Sequence, residues 1–327
     1  MTRTLITGVS GQDGSYLAEL ALARGDDVFG MVRPDDDWLV TRPAALADVT
    51  LLTADLADSA ALRRAVETAA PDEVYNLAAL SEPGRSWQQA ELTCDVVGMG
   101  VLRLLEALRA CSGDDLGSVR FCQASSSEIF GAATGATQDE QTPLRPRSPY
   151  GSAKAFAHNL VGNYRQAYGL FACCAILFNH ESPRRPPTFV TRKVTRTVAG
   201  IALGTATELR LGNLDGRRDW GHAADYVQGM TLMLGHPVAD DYVLASGVTH
   251  SLRDLLDAAF ACVGIDTWAP YVVQDPALVR PAEPDPLCGD AGKARRVLGW
   301  RPRHDFQALV AEMVHADLEE LRSGATR

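Results

Sequence analysis

Tyr150 and Lys154 stand four residues apart in SPYGSAKAFAHNLVGNYRQAY, and on a helix that spacing puts a phenol and an ammonium on one face. An ammonium beside a phenol favours the phenolate, so a tyrosine with an ordinary pKa of about 10 becomes usable as a proton acceptor near neutrality. Upstream, the apolar run VRFCQA ends in a serine cluster. Ser126 or a neighbouring serine can hold a substrate oxygen between itself and the tyrosine, and Glu128 adds a carboxylate two residues on. Taken singly, a Y-x-x-x-K pair is usually a surface pair, and serines after a strand are usually a turn or a cap. A cofactor fingerprint at the other end of the chain gives these groups a common purpose.

That fingerprint begins with a short strand, Thr4 to Thr7, which leads into Gly8-Val9-Ser10-Gly11-Gln12-Asp13-Gly14 and a helical pattern that stops at Gly25. Glycine at 8, 11 and 14 permits a tight turn, a close approach of backbone to a pyrophosphate, and a helix packed near its strand. The helix N-terminus offers its N–H groups to the anion. A second strand, Asp27 to Val32, ends in Arg33. An acidic residue at this edge takes the ribose hydroxyls of NAD, whereas an arginine accommodates the extra phosphate of NADP. Arg33 therefore points to NADP, provided that Asp35, Asp36 and Asp37 turn outward to solvent.

The elements that must position these groups alternate. Strands are expected at Val49 to Leu52 and Glu73 to Asn76, with a helix after Asp58 as N-cap and a long helical pattern from about Trp87 to Cys111. After the Tyr150 helix come the strand LFACCAIL, a helix from Asp225 to Leu234, a strand from Tyr242 to Ala245, and helices at Leu252 to Val263 and about Phe306 to Leu321. This order predicts an α/β fold: a Rossmann-type doubly wound parallel sheet with a smaller, interleaved C-terminal substrate-binding domain. The expected division is 1–178 with a returning segment at about 222–249 for the dinucleotide, and 179–221 with 250–327 for the substrate. Ligands bind beyond the carboxyl ends of such strands, where Gly8, Asn76 and Ser126 all fall.

In an otherwise acidic chain, Arg184, Arg185, Arg192, Lys193 and Arg196 gather after LFACCAIL, followed by Leu211-Gly212-Asn213 and Arg217-Arg218. Arginine forks match phosphate oxygens, and together these residues read as a pyrophosphate pocket. The chain has 327 residues, 46% of them hydrophobic, enough for a large core, and a formal net charge of -10 that argues against nucleic acid or an anionic membrane as partner. The 7 cysteines show no C-x-x-C and no zinc spacing, so no metal is expected and a reducing cytoplasm fits best. No apolar run is long enough to span a bilayer.

Gly8-x-x-Gly11-x-x-Gly14, Tyr150-x-x-x-Lys154 and the serine before the glutamate resemble the extended short-chain dehydrogenase/reductase superfamily. Beyond these, TGVSGQDGSYLAE, YNLAA, QASSSEIFG, RSPYGSAK, FNHESPRR, TFVTRK, LGNLDGRRDWGHAADYV and RPAEPDPLCGD resemble, in order, the motifs of the GDP-mannose 4,6-dehydratase family. The resemblance implies that Ser126 binds the sugar 4-hydroxyl, that Tyr150 takes its proton while the C4 hydride passes to NADP, and that Lys154 holds the nicotinamide ribose. Glu128 then removes the C5 proton and helps water leave from C6, where the hydride returns. It also puts Gly8, Gln12, Asp13, Asp55, Leu56, Leu77, Ala78, Ala79, Ser81, His180 and Arg185 on NADP. On the GDP-sugar it puts Ser81, Asn179, Val190, Lys193, Leu211, Gly212, Asn213, Arg218, Arg280 and Glu283. The chain departs from the family after the second strand, where a pair of arginines and a serine-rich loop are usual and Pro34 and three aspartates stand here.

A homodimer is expected, through the long helices starting near Trp87 and Pro149, with a homotetramer as the alternative. Other readings of the same site are a dehydratase for another GDP-sugar such as a GDP-heptose, an NADP-dependent GDP-sugar epimerase, or a catalytically silent dinucleotide sensor. A C4 epimerase has no need of Glu128, and a silent sensor has no need of the tyrosine and lysine.

Overall fold

The computed structural model describes residues 1–132, 135–278 and 287–324. In chain order the strands are β1 (Arg3–Thr7), β2 (Asp27–Val32), β3 (Thr50–Thr53), β4 (Glu73–Asn76), β5 (Arg120–Ala124) and β6 (Phe171–Leu177). They continue with β7 (Asn179–Glu181), β8 (Leu209–Leu211), β9 (Arg217–His222), β10 (Tyr242–Leu244), β11 (Thr249–Ser251) and β12 (Val272–Gln274). Seven of them form one sheet in the order β10-β6-β5-β4-β1-β2-β3. Every pairing in it is parallel. The chain runs outward from β1 to β3 and then returns to β4 beside β1. That reversal opens a crevice at the carboxyl ends of β1 and β4, as the sequence reading requires.

The inner strands are near-continuous apolar runs because helices cover both faces. The helices are α1 (Gln12–Arg24), α2 (Ser59–Ala69), α3 (Ala90–Cys94), α4 (Gly100–Ser112), α5 (Pro149–Tyr168), α6 (Val190–Ala202), α7 (Ala223–Gly235), α8 (Leu252–Ala261), α9 (Gly292–Leu298) and α10 (Phe306–Ser323). On one face α2, α4 and α5 bury Leu62, Leu105 and Val161 against the sheet, and on the other α1 and α7 bury Leu17 and Met230. Local signals set the ends of these helices. Asp58 accepts the amides of Ala60 and Ala61 at the start of α2, and Ser148 accepts that of Gly151 ahead of α5, with Pro149 at the first helical position. Gly25 and Gly169 close α1 and α5 at φ 85° and 68°, a region that favours glycine.

Two expectations need correction. The helical pattern from Trp87 to Cys111 is not one regular helix, because a π-helical stretch, Asp95–Met99, separates α3 from α4. Close packing lies on either side of it. A Cβ on Gly100 would come within 2.8 Å of Leu56 Cβ, and one on Gly98 within 3.2 Å of Phe156. Apolar periodicity cannot show one extra residue in a turn.

The arginine gathering is the second correction. Arg192 and Arg196 do not open onto a phosphate pocket but are taken up by α10. Arg192 Nε lies 2.7 Å from Asp317 and its Nη2 2.9 Å from Glu320, while Arg196 pairs with Glu320 at 2.5 Å. Arg184 turns back on α1, donating to Ser15 at 3.0 Å and Glu19 at 2.7 Å and lying 3.8 Å over the Tyr16 ring. The sequence reading also passed over α6 itself. Its buried face carries Thr191, Arg192 and Thr195 among the apolar residues, so its core side reads as polar. Val194 and Val198 join Leu255, Leu256, Leu309 and Met313 in an apolar cluster built by α6, α8 and α10.

Asp317 is fully buried and also accepts the Thr195 hydroxyl at 2.7 Å. Asp317→Ala should lower the unfolding free energy by about 2–4 kcal/mol, below the full cost of stranding a buried charge because Glu320 still holds Arg192. Urea unfolding measures this, and a change under about 0.5 kcal/mol, the usual scale of surface substitutions, would mean that the cluster does not tie α6 to α10.

Candidate active site

A buried chain of hydrogen bonds crosses the carboxyl ends of β1, β4 and β5. Thr7 Oγ1 donates to Asn76 Oδ1 (2.7 Å), Asn76 Nδ2 to Gln123 Oε1 (2.8 Å), and Gln123 Nε2 to the Ala124 carbonyl (2.9 Å). The same Thr7 oxygen accepts the amides of Leu77 and Ala78, both at 3.1 Å. The chain ends on a charge, because Lys154 Nζ donates to Ala124 O at 2.7 Å. Sequence reasoning placed Asn76 at this edge but missed Thr7 and Gln123. The signal was a polar residue at the carboxyl end of each strand, Thr7 in RTLIT and Gln123 in RFCQA, which alone reads as noise.

Tyr150 and Lys154 lie on one face of α5, both buried. Gly151 between them lets the helix start close to the serine turn, since a Cβ there would sit 2.7 Å from the Glu128 carbonyl oxygen. Ser126 caps that turn by accepting the Glu128 amide at 3.2 Å, and its hydroxyl is near enough to Tyr150 to favour the phenolate. The serine, glutamate, tyrosine and lysine of the sequence reading are thus brought together. The electrostatics differ from expectation. Burial first, then the Glu128 carboxylate, push the Tyr150 phenol well above its ordinary pKa, against the opposing pull of Ser126 and Arg185. Lys154 Nζ, turned toward Ala124, lies 5.8 Å from the Tyr150 ring centroid. Burial lowers its own pKa to about 8.

The glycine turn fits a dinucleotide. Gly8 has φ 69°, and a Cβ on it would press to 3.0 Å on the Ala78 backbone; one on Gly14 would come within 2.3 Å of Gly8 O. Gly11 is the N-cap of α1 and brings no capping side chain to its first amides. The next residues face inward. Gln12 donates to the His180 carbonyl (3.1 Å) and accepts the Ser182 hydroxyl (2.9 Å), while Asp13 meets His180 Nε2 at 2.8 Å. Burial would raise Asp13, but His180 and Arg185 hold it below the usual carboxylate range; burial would lower His180, but Asp13 holds it up. Arg185 stays in this centre, 3.0 Å from buried Glu181 and stacked on Phe189.

Along the rest of the cofactor edge, Asp55 closes a turn by accepting the Ala57 amide, Leu56 is buried under Gly100, and Ala79 packs near Tyr150. Ser81 is exposed, and so is Arg33, whose Nε lies 3.4 Å from Asp35. Toward the substrate, Lys193 donates to the Arg210 carbonyl at 2.7 Å, which puts it at the strand that leads to Leu211, Gly212 and Asn213. Val190 opens α6, Asn179 pairs in register with Trp220, and Arg218 lies on β9 beside them. Arg280 and Glu283 lie outside the described residues. His222, His304 and Glu312 bring donor atoms within 4.8 Å of one another. Two of them already have protein partners, since His222 Nδ1 accepts the Ala224 amide and its Nε2 faces Glu312 at 3.1 Å.

Comparisons with known proteins identify the family and the fold. The profile of the family described as GDP-mannose 4,6 dehydratase matches residues 5–313. GDP-mannose 4,6 dehydratase 2 of Arabidopsis thaliana is 48% identical, covering 96% of this chain and 86% of the relative. The human GDP-mannose 4,6 dehydratase is 45% identical, covering 98% and 92%. Among solved structures, Thermus thermophilus UDP-glucose 4-epimerase in complex with NAD superposes with TM-score 0.83 at 26% identity, over 99% of this chain and 100% of that one.

The buried ammonium of Lys154 gives a signed prediction. A lysine whose folded pKa is depressed leaves the unfolded state holding more protons between about pH 8 and 10.5, so stability rises with pH across that window. Lys154→Met should therefore stabilise the free protein by about 1–3 kcal/mol at pH 7, while abolishing turnover, and the gain should fade by pH 10. Urea melts at the two pH values test this, and a variant destabilised at pH 7 would contradict it.

Proposed function

The chain belongs to the GDP-mannose 4,6-dehydratase family, and we propose how its own residues carry that reaction. The activity is 4,6-dehydration of GDP-mannose to the GDP-4-keto-6-deoxy sugar. A nicotinamide dinucleotide, when bound, supplies the acceptor that takes the C4 hydride and gives it back at C6. Ser126 and Tyr150 hold the 4-hydroxyl between them, and Tyr150 takes its proton. Because burial and Glu128 resist the phenolate, the groups that favour it matter: the Ser126 hydroxyl, Arg185, and the Lys154 ammonium near the ring. Once C4 is a ketone the C5 proton is acidic. Glu128 removes it and assists departure of the C6 hydroxyl as water. The observation that carries this reading is the meeting of Ser126, Glu128 and Tyr150 at one end of β5, since simple hydride transfer needs no second base.

Gly8, Gly11, Gly14, Gln12, Asp13 and His180 are the residues we assign to the dinucleotide, with Asp55, Leu56, Leu77, Ala78, Ala79, Ser81 and Arg185 along its length. The family resemblance implies NADP, but Arg33, the cation at that edge, stands among three carboxylates and pairs with Asp35 at 3.4 Å. For the GDP-sugar we assign Asn179, Val190, Lys193, Leu211, Gly212, Asn213 and Arg218. Trp87, Leu92, Met99 and Phe156 are exposed apolar residues around the α3–α5 side and are the face we assign to a homodimer. No described helix is long and apolar enough to cross a membrane, and all seven cysteines are unpaired, which suits a cytoplasmic enzyme.

Wild-type protein incubated with GDP-mannose in deuterated water should release one water per sugar nucleotide and fix one solvent deuterium at C5, read by mass spectrometry. Intact GDP-sugar that exchanges deuterium would instead indicate epimerase chemistry. Tyr150→Phe should cut turnover at least about a thousandfold with the fold retained. Glu128→Gln should still reduce the cofactor in a single turnover but stall before water is lost; dehydration at the wild-type rate would remove Glu128 from the mechanism.

A further inference from the structure

We infer that this chain selects NAD over NADP, and that Asp36 is the residue that makes the choice; this rests on the reading of the glycine turn as a dinucleotide site. In such folds the adenosine ribose lies between the glycine turn and the end of the second strand. Here a side-chain hydrogen bond joins those two segments, beside the backbone bond from the Gly8 amide to the Met31 carbonyl. Ser10, inside the glycine turn, donates its hydroxyl to Asp36 Oδ2 at 2.6 Å, and Asp36 Oδ1 also accepts the Trp38 amide at 3.0 Å. Of the three aspartates after β2, Asp36 is the half-buried one, drawn in toward the turn; Asp35 and Asp37 are exposed. The condition for NADP, that all three turn outward, is not met.

A 2′-phosphate needs donors and positive charge, and this edge has few of either. The Asp36 amide is used in a turn to the Arg33 carbonyl at 3.1 Å, the Trp38 amide and the Ser10 hydroxyl are held by Asp36, and Pro34 has no N–H. Arg33 is one cation among three carboxylates in residues 33–37, and it already leans on Asp35. A phosphate monoester of charge about -1.5 to -2 would face a net negative segment. Ribose hydroxyls are donors, and a fixed carboxylate is the acceptor that suits them. The 2′- and 3′-hydroxyls of NAD would bond Asp36, with Ser10 keeping the carboxylate aimed.

The test is calorimetric titration of nucleotide-free protein with NADH and with NADPH. We expect NADH to bind at least tenfold more tightly. Asp35→Ser/Asp36→Ser should erase or reverse that ratio, by weakening NADH and strengthening NADPH. Asp35→Ser alone changes an exposed side chain, folds in any case, and should improve NADPH severalfold. NADPH binding as tightly as NADH to the wild type, or a preference unmoved in both variants, overturns the assignment while leaving the dehydratase reading intact. A wild type that binds neither nucleotide overturns both.

Discussion

One buried ammonium organises this site. Lys154 sits in the interior on the Ala124 carbonyl at the end of a parallel strand, and a cation there is costly unless every nearby polar atom is satisfied. The chain from Thr7 through Asn76 and Gln123 ends on that same carbonyl, so the ammonium and the strand ends share one acceptor. It also links three strand ends to one another, so the glycine turn, the backbone after β4 and the serine turn after β5 start from one connected run of hydrogen bonds. The catalytic groups inherit their geometry from it.

The surrounding charges are divided between two tasks. Arg184, Arg192 and Arg196 serve the fold, tying the loop after β7 to α1 and binding α6 to α10 through Asp317 and Glu320. Arg185, one residue from Arg184, serves the site, where it favours the ionised forms of both Tyr150 and Asp13. Neighbouring arginines of the same type thus do opposite work, and burial together with the nearest carboxylate decides which. The same balance explains why the tyrosine is not an activated base by sequence alone: the carboxylate needed for the C5 proton raises the pKa of the phenol needed for the C4 proton.

The cofactor edge shows the constraint at its smallest scale. Within the glycine turn the backbone must bend through positive φ at Gly8 and leave no Cβ at Gly14, which fixes where Ser10 stands. From there a single hydroxyl aims the Asp36 carboxylate, and the amides nearby are consumed in local turns.

The sequence by itself determined the alternation of strands and helices, the Asp58 cap and the stop at Gly25, the glycine turn and the Ser126, Glu128, Tyr150 and Lys154 group. These are local signals: a period, a glycine that must take positive φ, a helical spacing of four. It also carried the resemblance that leads to the family. Tertiary structure alone decided which arginines face the ligand side, that α6 hides a charged residue in its core, that the helix after Trp87 contains a π-helical turn, and that Asp36 rather than Arg33 faces the glycine turn. Each depends on a partner distant in the chain, such as Asp317 for Arg192 or Ser10 for Asp36, and no local pattern encodes where such a partner will lie.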